Sequence, residues 1–203
     1  MNNTLYIVRH AETIFNIEKK IQGCSDSPLT EHGKTQAIKL ANNFIGKKID
    51  IVFSSPLGRS IETTNIICNK SGIDNYIVEQ NLKEIDLSPW EGKLFAELII
   101  DKSESGYYTY KTNPSCFIPT GGESLFDLID RVFPTVQNIV KCNSNKNIIV
   151  VTHEICIRAF LVKFFNEHIN NIWEYTLPTC SVSAFSLDND KIIKCHDIGK
   201  MLY

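Results

Sequence analysis

Two stretches of this chain are apolar almost without interruption, and each stops at a histidine: Leu5-Tyr6-Ile7-Val8 runs into Arg9-His10, and Asn147 to Thr152 runs into His153. Runs of β-branched and aliphatic residues with no polar alternation read as strands buried on both faces. That restricts the fold to a sheet covered by helices on each side. In such sheets ligands gather at the carboxyl ends of the strands, so Arg9, His10 and His153 fall where a site belongs.

The segments between the strands read as crossovers. Asn16 to Ser27 is polar and carries Gly23, the pattern of a loop. Thr30 is placed to cap a helix whose apolar face is Ala37, Leu40, Ala41, Phe44 and Ile45, with Gly46 as its stop. Ile49 to Phe53 reads as a second strand. Ser54-Ser55-Pro56 after it reads as the start of a helix, with Ile61, Thr64, Ile67 and Cys68 inward and Gly72 at its end. Tyr76-Ile77-Val78 reads as a third strand. Ser124-Leu125-Phe126-Asp127 has the spacing of a capping box, opening a helix with an apolar stripe from Leu125 to Val140 in which Pro134 predicts a kink. Ile155 to Phe165 reads as a last helix, and Ser181 to Leu187 with Ile192 to Cys195 as a terminal hairpin. Alternating strands and helices predict a three-layer α/β/α sandwich, mostly parallel, with an antiparallel C-terminal hairpin or edge strand.

Residues 80–122 break this rhythm. Pro89, Gly92, Gly106, Pro114 and Pro119 interrupt them, and only Leu94 to Ile100 has helical character. Long irregular segments in compact domains often cover a substrate, so this stretch is expected to be an excursion from a single domain spanning 1–203.

Length and charge exclude several classes. At 203 residues and 43% hydrophobic content the chain can bury one sizeable core. A formal net charge of -2 predicts neither a nucleic-acid surface nor a basic membrane patch. No apolar run approaches a membrane span and no signal-peptide pattern opens the chain, so a cytoplasmic protein is expected. Seven cysteines without Cys-x-x-Cys spacing fit small buried residues rather than a disulfide scaffold, and five scattered histidines predict no metal site.

The motifs, taken in order, resemble the histidine phosphatase (phosphoglycerate mutase-like) superfamily. They are Arg9-His10-Ala11-Glu12-Thr13 with Asn16, Gln22-Gly23, and Asp26-Ser27-Pro28-Leu29-Thr30 with Gly33 and Gln36-Ala37. They continue through Ser54-Ser55-Pro56-Leu57 with Arg59 and Thr63, Leu82 with Glu84, Trp90-Glu91-Gly92, Gly122-Glu123-Ser124, and Val150-Val151-Thr152-His153 with Arg158. The resemblance implies a metal-independent, histidine acid-type phosphatase that needs no cofactor. His10 would be the nucleophile, Arg9, Arg59 and His153 would surround the phosphoryl group, and Glu84 would be the general acid and base. Asp86 and Glu91 compete for that last role. Asn16, Gln22 and Gly23 would touch substrate.

Imidazole suits covalent transfer because its neutral form offers a lone pair near pH 7, and planar guanidinium groups suit phosphoryl oxygens. The chain departs from its relatives at Ala11 and at Glu154, where glycine is usual. A carboxylate beside bound phosphate repels it, so Glu154 is expected to pair with Arg158 and point away, while remaining a candidate substrate contact.

The resemblance thus implies a phosphomonoester hydrolase acting on a small phosphorylated metabolite, with α-ribazole phosphatases and broad-specificity phosphatases among its look-alikes. Phosphoglycerate mutase is the alternative. It is disfavoured by the short excursion and its sparse basic residues, Lys93, Lys102 and Lys111. A non-catalytic phospho-ligand binding module is a lesser alternative.

Overall fold

The computed structural model describes residues 3–103 and 105–202. Among them, strands β1 (Asn3–Arg9), β2 (Ile51–Ser54), β3 (Ile77–Val78), β4 (Ile148–Thr152), β5 (Val182–Asp188) and β6 (Lys191–Lys200) form a sheet in the order β3-β2-β4-β1-β5-β6. The first four of that order pair in parallel, and β5 and β6 join antiparallel. Helices α1 (Ile14–Glu18), α2 (Glu31–Asn42), α3 (Gly58–Ser71), α4 (Phe95–Leu98), α5 (Tyr107–Thr112), α6 (Leu125–Cys142) and α7 (Glu154–Phe164) connect them.

The absence of alternation in the two apolar runs has its cause in two cores. Leu5, Ile7, Ile148 and Val150 face the cluster built with α6 and α7, whereas Val8, Ile149 and Val151 face the one built with α2 and α3. Side chains along a strand alternate faces, so a strand with two covered faces is apolar throughout. All of β4 is buried. α2 packs on α3, and α6 on α7.

Local signals placed most helices. Thr30 accepts the backbone N–H of Gly33 at 2.8 Å, and the Ser124–Asp127 capping box forms. α6 runs through Pro134 as one element. An interior proline costs about 3 kcal/mol, and burying Leu128, Val132, Val136 and Ile139 at about 1.5–3 kcal/mol each outweighs it. Four expectations need correction. Residues 16–18 belong to the short helix α1 rather than to the loop, because Thr13 and Asn16 cap each other. α2 ends at Asn42, ahead of Gly46. α3 starts at Gly58, and neither Ser55 nor Pro56 caps it. The excursion holds a second helix, α5, held by aromatic packing of Tyr107 and Tyr110 on Trp90.

No helix among the described residues is long and apolar enough to cross a membrane.

Candidate active site

The strand order brings two imidazoles together from opposite ends of the chain. β1 and β4 are parallel neighbours with Arg9 opposite Thr152, so the residues that follow them emerge side by side. The His10 N–H donates to the Thr152 carbonyl at 2.9 Å, and the rings of His10 and His153 lie 5.2 Å apart, centre to centre. His10 Nδ1 is 2.8 Å from the Ala11 carbonyl. A carbonyl only accepts, so Nδ1 carries the proton and Nε2 the lone pair. Burial, reinforced by the charges of Arg59 and Arg9, holds His10 well below its ordinary value and keeps it neutral.

Arg59 is the second residue of α3, and its Nε donates to His10 Nε2 at 3.3 Å. The rest of its guanidinium is gripped by a loop: Nη2 donates to the Gly23 carbonyl at 2.7 Å, and Nη1 to Ser25 O at 2.9 Å and Asp26 Oδ1 at 3.0 Å. Asp26 Oδ2 accepts the Gly58 N–H at 2.6 Å, so the helix is capped by a residue far from it in sequence. Gly23 has φ +53°, and a β-carbon there would run into the Glu91 carboxylate. Glu91 clamps this loop and does not line the cavity that His10 faces. Its Oε1 accepts from Cys24 N at 2.7 Å and Leu87 N at 3.2 Å, and its Oε2 from Ser25 N at 2.8 Å. Removing it with Glu91→Ala frees the loop that aims Arg59, and should lower kcat/KM for p-nitrophenyl phosphate by about 10- to 100-fold. Initial rates on protein with an unaltered circular-dichroism spectrum check this; full activity would show that Arg59 keeps its place without the loop.

Glu84 is 7% exposed and lines the same cavity as His10, Arg9 and Arg59. Its carboxylate accepts from Ile85 N at 3.0 Å and from Ile155 N, in the first turn of α7, at 3.1 Å. Burial raises it above the ordinary carboxylate value, although both N–H groups and Arg59 pull the other way. Asp86 accepts from Ser88 N and does not line the cavity, so of the three carboxylates the sequence offered, only Glu84 faces it.

Glu154 departs from expectation. Its Oε1 pairs with Arg158 at 2.7 Å as its spacing predicted, but its Oε2 reaches Arg9 Nη1, also at 2.7 Å, and the side chain lines the cavity instead of pointing away. Burial works against its charge, yet Arg9 and Arg158 hold it below the ordinary value. A carboxylate between two guanidiniums presents far less negative charge to an arriving anion than a bare one.

The cavity measures about 510 Å³. At one end the half-buried Arg9 and the buried Arg59 converge with a neutral imidazole whose Nε2 lone pair is turned toward Arg59, and a protonatable carboxyl lies in the wall. The family model described as histidine phosphatase superfamily (branch 1) matches residues 5–196. The chain belongs to that superfamily. Phosphoserine phosphatase 1 of Hydrogenobacter thermophilus is 29% identical over 184 residues, covering 91% of this chain and 86% of that one. A probable phosphoglycerate mutase, GpmB of Salmonella choleraesuis, is 34% identical over 181 residues, covering 88% and 82%. The structure of a phosphoserine phosphatase variant from Entamoeba histolytica in complex with phosphoserine has a TM-score of 0.86 at 25% identity, covering 98% of each chain.

Within this histidine phosphatase superfamily member the remaining candidates divide. Gln22 and Gly23 line the cavity. Asn16 lines it too, but its Oδ1 is engaged by Thr13 N and Oγ1, both at 3.0 Å. His153 is fully buried behind His10 and is not part of the cavity wall. Its Nε2 is 2.6 Å from Ser55 Oγ, and burial, with the charges of Arg59 and His10, holds it well below its ordinary value. Sequence reasoning missed the wall opposite: Phe95, Tyr107, Tyr110 and Trp173. The cluster of tyrosines at 107, 108 and 110 inside an irregular segment was the available signal.

Proposed function

We propose that this protein hydrolyses phosphomonoesters of a small metabolite through a phosphohistidine formed on His10. The observation that carries the reading is the His10 ring itself, with Nδ1 tied to a carbonyl and Nε2 turned toward Arg59. In the first step Nε2 attacks phosphorus, the ester P–O bond breaks, and the Glu84 carboxyl gives its proton to the departing oxygen. Arg9 and Arg59 carry the charge on the phosphoryl oxygens. In the second step the Glu84 carboxylate takes a proton from water, whose oxygen attacks phosphorus as the P–N bond breaks. Inorganic phosphate leaves and Glu84 is again protonated. His153 supports the His10 ring from behind.

The test offers the purified protein a panel of phosphate esters that includes phosphoserine, α-ribazole phosphate and 3-phosphoglycerate, in EDTA. Inorganic phosphate should be released from at least one of them at an undiminished rate. If 2-phosphoglycerate formed from 3-phosphoglycerate faster than free phosphate, after priming with 2,3-bisphosphoglycerate, the phosphoryl acceptor would be substrate rather than water and the protein a mutase.

A further inference from the structure

The end of the cavity away from His10 has its own charge. Lys111, in the last turn of α5, lines the wall with its ammonium 3.5 Å from the centre of the Trp173 ring. Among the described residues no carboxylate lies within ion-pairing distance of it. The carboxylate whose charge bears on it, Glu154, has already given one oxygen to Arg9 and the other to Arg158. Arg158 also lies over Trp173, 5.5 Å from the ring centre, and donates to the Ile172 carbonyl at 3.0 Å.

The charged side chains on the wall are Arg9 and Arg59 at the phosphoryl end, Lys20 paired with Glu18, Glu84, Glu154 held between Arg9 and Arg158, and Lys111 left with an aromatic face alone. Burial and the Arg158 charge lower the Lys111 ammonium to about 8 against the pull of Glu154, so it is protonated at pH 7 and gains from an arriving anion. An aromatic face holds a cation without neutralising it, which leaves the ammonium available to a ligand.

Resting on the hydrolase reading above, we propose that Lys111, seated on Trp173, is a specificity-determining residue that binds a second anionic group, a carboxylate on the part of the substrate that leaves. The favoured substrate class is therefore the phosphate ester of a small hydroxy acid rather than of a neutral alcohol. The phosphoryl group occupies the guanidinium end and the carboxylate the end walled by α5.

The experiment compares two esters that differ only in that group, 3-phosphoglycerate and glycerol 3-phosphate, by release of inorganic phosphate. A charge-assisted hydrogen bond is lost in Lys111→Met, so the ratio of kcat/KM for the acid over the alcohol should fall by about 10- to 100-fold, mainly through KM. Lys111→Arg should bring the ratio back to within a few-fold. Each ratio is taken within one enzyme preparation, so partial unfolding cancels from it. A ratio unchanged in Lys111→Met overturns the assignment. Failure of the unaltered protein to release phosphate from either ester while it hydrolyses others of the panel would also overturn the assignment, whereas failure on every ester would overturn the hydrolase reading instead.

Discussion

Replacing His10 with alanine is expected to lower turnover of p-nitrophenyl phosphate by at least about 10⁴-fold, because no other group in the cavity has a neutral, aimed lone pair to take its place. His153 cannot substitute: it is fully buried behind the first ring and its Nε2 is engaged by Ser55. The same variant should lose the phosphoryl group that is trapped on the protein when it is mixed with a ³²P-labelled ester and quenched in alkali. That bond should be acid-labile, as phosphoramidates are. Label that persisted in His10→Ala would place the covalent intermediate on another side chain. Loss of label with activity retained would mean direct attack by water.

Glu84→Gln should give the second largest effect, and one that depends on the substrate. A nitrophenolate departs without a proton, whereas an alkoxide requires one. Alkyl phosphates should therefore slow by about 10²- to 10⁴-fold, and p-nitrophenyl phosphate considerably less. The pH dependence follows from burial. Glu84 lies above the ordinary carboxylate value, and as an acid it works only while protonated, so kcat/KM for an alkyl ester should decline as pH rises through that raised value. His10 lies well below its ordinary value, so the nucleophile stays neutral into the acid range and the profile should reach toward low pH. In Glu84→Gln the descending limb should disappear. Equal slowing of both ester types, with the limb intact, would remove Glu84 from the proton transfer.

What the sequence disclosed and what it hid separate along a physical line. β1 and β4 were legible because both of their faces are covered, which leaves a continuous apolar run. α6 was legible because its cap, Ser124 with Asp127, lies within one turn. The pairing of their ends was legible only through the family motifs, since nothing local says that His10 and His153 are neighbours. The start of α3 was misplaced because its cap is Asp26, a partner reached across the fold. α5 was missed because its inward residues, Tyr107 and Tyr110, gain their stability from Trp90 and Trp173 rather than from any helical repeat. Spacing along α7 revealed the Glu154–Arg158 pair, but Arg9 sits at the other end of the chain, and with it the reason Glu154 faces inward. Glu91 looked like a rival acid until its backbone partners were visible.

The aromatic wall has a practical consequence. The chain has two tryptophans, and both Trp90 and Trp173 pack edge-on against Tyr110, while the layers that cover the rest of the sheet have none. Tryptophan emission from this molecule is therefore a local gauge, blind to most of its scaffold and tuned to whatever enters beside α5.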